Sequence, residues 1–184
     1  MINYAAFLRG INVGGRKPVP MQKLKKALES LQFKNVQTLL ASGNVVFEAP
    51  PLDTIALEQK IEETLKKTFG QEIGVFIRTL KELQHLSDSQ PFKGINVTPQ
   101  TRLYVTFFSE KPKRSLKIPF ISPDKSFNIL HVSGREVCSV LTLSPNSGTL
   151  DLMKVLEKEF GRKVTTRNWN TVIRVLRTYQ FKKE

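Results

Sequence analysis

Three short stretches hold most of the side chains that could do chemistry. They are Arg9-Gly10-Ile11-Asn12-Val13-Gly14-Gly15-Arg16-Lys17, Ser42-Gly43-Asn44 and Thr165-Thr166-Arg167-Asn168-Trp169-Asn170-Thr171. The first carries three glycines among three fixed cations. Glycines let a backbone turn sharply and approach another group closely. Cations beside such a loop make an anion its natural guest. The loop leaves an apolar run and enters a helical pattern, which is the setting of an anion site at a helix N-terminus. It is not a Walker A loop, because Gly15 is followed by Arg16-Lys17-Pro18 rather than Lys and Ser/Thr. It is not a dinucleotide fingerprint either, because Gly10-x-x-x-Gly14-Gly15 has the wrong spacing. Pro18 and Pro20 remove two backbone donors from the helix start. The ligand-binding candidates here are Arg9, Gly10, Asn12, Gly14, Gly15 and Arg16. The plainer reading is a strand-to-helix turn that happens to be basic.

Ser42 would need a nearby base to act as a nucleophile, and none is evident. A Gly43-Asn44 hairpin turn accounts for the second stretch; Ser42 and Asn44 stay as polar candidates. In the third, Asn168 or Asn170 suits the N-cap of a last helix, and Trp169 fits that helix's apolar stripe. Arg167, left over, could grip a phosphate or carboxylate bidentately. Arg167, Asn168 and Asn170 complete the candidate set. A further basic run, Lys111, Lys113, Arg114 and Lys117, is interleaved with prolines and reads as a solvated loop.

Conventional catalytic sets are missing. The chain has two histidines, His85 and His131, and one cysteine, Cys138. That leaves no Cys/His metal cluster, so no metal, no cofactor and no assigned catalytic residue are expected. Cys138 reads as a small hydrophobe on a strand. Glu58, Glu62, Glu63, Glu157 and Glu159 fall on predicted helices, where solvated surface is the default.

Charge points to partners. The net charge is +13 over 184 residues. Residues 1–92 hold 12 Lys/Arg against 9 Asp/Glu, and residues 93–184 hold 17 against 7. Residues 1–34 alone hold seven cations and one acid, Glu29. A basic field favours nucleic acid, phosphorylated metabolites or an anionic surface; the bland alternative is solubility. No apolar run approaches the ~18 residues that span a bilayer, so no membrane partner is expected. The short apolar N-terminus lacks a basic leader. Together with a single cysteine this predicts a cytoplasmic protein, and a monomer is the simplest oligomeric state.

The elements that must position these residues follow from periodicity. Tyr4–Leu8 is an apolar run and a first strand. Met21, Leu24, Leu28 and Leu31 recur at helical spacing. Strands follow at Val36–Ala41 and Val45–Phe47, then a helix through Leu57, Ile61, Leu65 and Phe69 with Gly70 placed to end it. Ile73, Val75 and Ile77 alternate as a strand. The second half runs as strand (Leu103–Phe107), a degenerate piece in which Phe120-Ile121 forms one helical turn, a hairpin around Ser133-Gly134-Arg135, a helix closed by Gly161, a strand at Val164-Thr165-Thr166 and a terminal helix. Each half therefore reads β-α-β-β-α-β. The predicted fold is α+β, two ferredoxin-like subdomains packed as a duplicated fold with an extra C-terminal helix. Its parts are residues 1–86, a linker at 87–101, and residues 102–184. No residue-level repeat between the halves is evident. In this order the loop after the first strand and the hairpin between strands two and three are expected at opposite ends of the sheet.

The chain is similar to a known family. Ala6-Phe7-Leu8-Arg9-Gly10-Ile11-Asn12-Val13-Gly14-Gly15, Ala41-Ser42-Gly43-Asn44-Val45-Val46-Phe47 and Thr166-Arg167-Asn168-Trp169-Asn170-Thr171-Val172 resemble the bacterial family called domain of unknown function 1697, over essentially the whole chain. The resemblance implies two ferredoxin-like subdomains and no established activity, cofactor or catalytic residue. One departure is expected to bear on a site. Where the family has a Ser-Lys pair, this chain reads Asn146-Ser147-Gly148-Thr149-Leu150.

Three readings follow. The first is a protein that binds a phosphorylated small molecule or nucleic acid through its basic Gly/Asn/Arg motifs. The second is an enzyme on a small anionic substrate, with Arg9 and Arg167 orienting it and Asn12, Asn44 or Asn168 polarising a carbonyl. The third makes the motifs structural turns and caps that hold backbone through side-chain hydrogen bonds.

Overall fold

The computed structural model describes residues 1–13, 18–111, 118–122, 125–143, 156–158, 160–161 and 163–180. The chain divides into two compact units, Met1–His85 with Arg174–Glu184, and Leu86–Ile173. Each unit is a mixed α+β body built on its own antiparallel sheet.

In the first unit the order is β1 (Ile2–Leu8), α1 (Met21–Glu29), β2 (Lys34–Leu39), β3 (Asn44–Ala49), α2 (Thr54–Phe69), β4 (Val75–Thr79) and α3 (Leu80–Asp88), the last of which runs into the second unit. The strands lie in the order β2-β3-β1-β4. Alternation decides the faces. Tyr4, Ala6, Leu8, Val45, Phe47, Val75 and Ile77 point to one side. There they bury against Leu24 and Leu28 of α1 and Leu57, Ile61 and Leu65 of α2. Burying each such side chain stabilises by roughly 1.5–3 kcal/mol. Phe47 stacks on Phe33 (4.6 Å between centroids) and on Tyr4 (5.7 Å). Helix α2 starts on Asp53, whose carboxylate accepts the Ile55 and Ala56 N–H groups, and stops on Gly70 at φ 68°. Ala5, Phe7, Phe76 and Arg78 on the opposite sheet face are buried too.

In the second unit the strands are β5 (Thr101–Phe108), β6 (Phe120–Ile121), β7 (Phe127–Ser133), β8 (Glu136–Thr142) and β9 (Val164–Asn168), ordered β6-β7-β8-β5-β9. Its core gathers Phe108, Phe127, Ile129, Val137, Leu141, Leu156 and Val164. Phe160 packs edge-on to Phe108 at 5.1 Å. The helical residues 156–158 lead to Gly161, at φ 86°, whose N–H bonds to Glu157 O. Helix α4 (Trp169–Gln180) leaves from β9 and belongs to the first unit from Arg174 onward.

Phe120-Ile121 is a strand rather than a helical turn. It pairs with Ile129 and Asn128 of β7, and such a two-residue piece takes its conformation from its partner. The hairpin between β2 and β3 turns over Leu40–Gly43, with Leu40 at φ 60° and Gly43 at φ 77°; Asn44 is already in β3. The expectation that this turn and the loop after β1 lie at opposite ends of the sheet is also overturned. β1 runs antiparallel to β3 and pairs Phe7 with Asn44, so the end of β1 meets the start of β3.

Candidate functional site

The first two polar stretches therefore share one corner. The end of β1 is held from both sides, by Leu8 N–H to Gly43 O and Arg9 N–H to Gly74 O, each 2.8 Å. The chain then turns at Gly10 (φ 62°), buries Ile11 and reaches Asn12 at φ 54°. Asn12 uses its whole amide on backbone. Its Oδ1 accepts the Val19 N–H at 2.8 Å, and its Nδ2 donates to Val19 O at 3.1 Å and Ala41 O at 2.8 Å. One side chain thus pins both stems of the loop to the β2–β3 turn. Gly14, Gly15 and Arg16 lie outside the described residues.

Across the corner, Asn44 is fully buried, with Nδ2 donating to Leu39 O at 3.0 Å and Ser42 Oγ at 3.1 Å. Gly43 is required twice over. Its φ is left-handed, and a Cβ there would lie 2.6 Å from Ile11 Cδ1 and 2.8 Å from Leu8 Cβ. The glycine lets the turn close onto β1.

A cavity of about 700 Å³ opens beside the corner. Its lining includes Arg9, Gly10, Glu62, Glu63, Lys66 and Glu72. Three carboxylates against two cations make this a mixed-charge groove rather than an anion cradle. Lys66 is itself paired to Glu72 at 3.0 Å, and Ser42 is not among the lining residues.

The third stretch belongs to the second unit. Arg167 on β9 is 9% exposed, and its Nη1 donates to Thr165 Oγ1 and Thr166 O, both at 2.9 Å. Burial pulls its pKa down to about 10, so the guanidinium stays charged at neutral pH. Asn168 is the N-cap: its Oδ1 accepts the Asn170 N–H at 2.9 Å, while Asn170 is exposed. Trp169 packs edge-on to Phe92 at 5.3 Å, and Thr166 Oγ1 shares a hydrogen bond with Thr106 Oγ1 at 2.8 Å. Cys138 is buried in β8. Desolvation, with Glu136 adding to it, pushes its thiol up to about 12.

Glu58 and Glu62, expected on solvated surface, do something else, and Glu82 joins them. β4 is an edge strand, and its outward N–H groups alternate at Val75, Ile77 and Thr79. Glu62 accepts from Val75 at 2.9 Å, Glu58 from Ile77 at 2.8 Å and Glu82 from Thr79 at 2.7 Å. Glu58 is only 3% exposed. Glu58 and Glu62 lie four apart on α2, flanking Leu57 and Ile61, so both overlook the strand edge. The signal for Glu82 is the Thr79-x-x-Glu82 capping box, because Thr79 Oγ1 in turn accepts the Glu82 N–H. Among the described residues no group of three or more His, Cys, Asp or Glu could hold a metal ion.

Residues 1–138 match the family described as "Protein of unknown function (DUF1697)". The chain belongs to this family. The DUF1697 match takes in the whole corner and ends at Cys138, so the Thr165–Thr171 stretch lies outside it. The fold is similar to that of a conserved bacterial protein from Streptococcus pneumoniae, with a TM-score of 0.67 and 19% identity over 96% of this chain and 97% of that one. No curated protein is significantly similar to the chain in sequence. Asn146–Leu150, where the family resemblance leads one to expect a Ser-Lys pair, lies outside both the matched and the described residues, and Lys113, Arg114 and Lys117 also lie outside the described residues. Among the described residues no helix is long and apolar enough to cross a membrane.

Proposed function

We propose that this DUF1697 protein binds nucleic acid through the basic loop after β1 and the outward face of α1. The observation that carries this reading is the charge of α1. Leu24, Ala27 and Leu28 turn to the core, while Lys23 and Lys26 are exposed and Lys25 is half-exposed. Glu29, the one acid of α1, lies 3.7 Å from Lys25. Arg16 and Lys17 precede the helix in the chain. Asn12 supports the same reading by tying itself, Val19 and Ala41 together beside the start of α1. Exposed cations suit a polyphosphate backbone, although the Lys23 ammonium also lies 5.2 Å from the Phe69 ring. A phosphorylated small molecule in the cavity beside Arg9 is less well matched, since three carboxylates would face it. An enzyme of the kind that polarises a carbonyl is disfavoured because the Asn12 and Asn44 amides are spent on backbone and on Ser42.

Two ferredoxin-like subdomains remain the best architectural reading. The order β2-β3-β1-β4 recurs as β7-β8-β5-β9 when the strands of each unit are matched by rank and β6 is set aside. A monomer in the cytoplasm fits the composition. The test of the binding proposal is a salt titration with a fluorescent oligonucleotide. Four neutralised phosphates would cost affinity roughly 100-fold between 50 and 200 mM salt. Replacing Lys23 and Lys26 by Ala would lower the log–log slope by about two. A flat salt profile, or a slope indifferent to both lysines, would remove the proposal.

A further inference from the structure

Each unit carries a buried arginine at the same point of its own sheet. Arg78 lies on edge strand β4 opposite Ala5 of β1, and Arg167 lies on edge strand β9 opposite Val105 of β5. The registers agree position by position. Leu8 opposes Val75 and Tyr4 opposes Thr79 in one unit; Phe108 opposes Val164 and Tyr104 opposes Asn168 in the other. Both first strands read Tyr-x-x-Phe, as Tyr4 with Phe7 and Tyr104 with Phe107. Both edge strands run straight into a helix whose cap is their last residue, Thr79 or Asn168. The supporting turns match as well: Leu8 N–H bonds to Gly43 O, and Phe108 N–H to Arg135 O. Both second strands, β2 and β7, carry a register shift against their neighbours.

Both guanidinium groups donate to the carbonyl of the preceding residue. Arg78 Nη1 donates to Ile77 O at 2.6 Å, and Arg167 Nη1 donates to Thr166 O at 2.9 Å. Arg78 is 0% exposed and Arg167 is 9% exposed. A strand residue points its N–H and C=O to the same side. Ile77 N–H is taken by Glu58, away from β1, so Ile77 O also faces the outer edge of the sheet. Thr166 holds the equivalent register. The outer N–H groups of β4 are already taken by Glu62, Glu58 and Glu82, and Ile77 and Arg78 are fully buried, so the Ile77 carbonyl needs a donor from within the fold.

We propose that Arg78 and Arg167 are one residue in two copies, a pair of edge clamps that satisfy the outer carbonyls of β4 and β9. Arg167 is then a structural group and not the ligand-gripping cation its sequence context suggests. The proposal does not depend on the nucleic-acid reading, which uses the loop after β1 and α1.

The test uses the full chain. In the wild-type protein, NMR should find slowly exchanging guanidinium N–H signals for both arginines, unmoved by inorganic phosphate or by an oligonucleotide. Arg78→Lys and Arg167→Lys should each lower the midpoint of chemical denaturation, read by circular dichroism. Arg167→Met should do so more strongly while leaving oligonucleotide affinity within about twofold of wild type. A shift of the Arg167 signals on adding phosphate or oligonucleotide would overturn the proposal. So would an Arg167→Met variant that keeps wild-type stability and loses binding. The wild-type spectra decide the matter even where a variant fails to fold.

Discussion

Replacing Gly43 by Ala tests whether the corner is built on a close backbone approach. Two costs add. An L-residue at φ 77° is in left-handed backbone, which costs roughly 1–2 kcal/mol. The new methyl would also sit 2.6 Å from Ile11 Cδ1 and 2.8 Å from Leu8 Cβ, well inside ordinary carbon contact. Ile11 is a side-chain end and can shift, but Leu8 Cβ is attached to the strand backbone. Such overpacking costs about 1–3 kcal/mol. The sum is about 2–5 kcal/mol, a fall in melting temperature of roughly 4–20 °C for a chain of this size. Gly10→Ala is the internal control. Gly10 also has a left-handed φ, 62°, but a Cβ there meets nothing within 4 Å. It should lose only the backbone cost, roughly 1–2 kcal/mol. The assay is chemical denaturation of both variants beside wild type, followed by circular dichroism. Equal losses at the two glycines would refute the close-approach argument and leave Gly43 as an ordinary turn glycine.

Other outcomes follow from the same contacts. Glu58→Ala strips the buried acceptor from Ile77 N–H and should cost about 1–3 kcal/mol; hydrogen exchange should show the Ile77 amide losing protection while Ala56 at the start of α2 keeps its own. Asn12→Gly preserves the left-handed backbone but deletes three side-chain hydrogen bonds, so its loss, of order 2–3 kcal/mol at about 1 kcal/mol per bond, should exceed that of Gly10→Ala. Cys138, with its thiol held up to about 12, should resist iodoacetamide at pH 8 in the folded protein and label at once in urea. The native state keeps this proton where the unfolded thiol, near 9.0, gives it up. Its contribution to stability is therefore complete below about pH 9 and declines as pH rises toward 12, which alkaline denaturation of wild type against Cys138→Ala should show.

What the sequence could and could not reveal divides along the range of the interactions. The α2 helix was readable because its cues are local: Leu57, Ile61 and Leu65 at helical spacing, and Gly70 where the chain must turn left-handed. An N-cap at Asn168 or Asn170 is readable for the same reason, and the structure places it at Asn168. Glu58 was misread as surface because its partner, Ile77 N–H, lies 19 residues away on an edge strand whose position depends on the whole sheet. Arg167 reads from the sequence as an unexplained cation, yet its guanidinium donates to its own strand's carbonyl and hydroxyl, contacts that no residue pattern displays. Arg78, in the plain stretch Val-Phe-Ile-Arg-Thr, does not stand out. The repeat that joins these two arginines was hidden by spacing rather than by divergence alone. Tyr4 and Tyr104 are 100 positions apart, whereas Arg78 and Arg167 are 89 apart. No single offset aligns both pairs. Only the hydrogen-bonded registers, Ala5 with Arg78 and Val105 with Arg167, bring them to the same place. An arginine in this fold is therefore better judged by which strand edge it borders than by how polar its neighbours are.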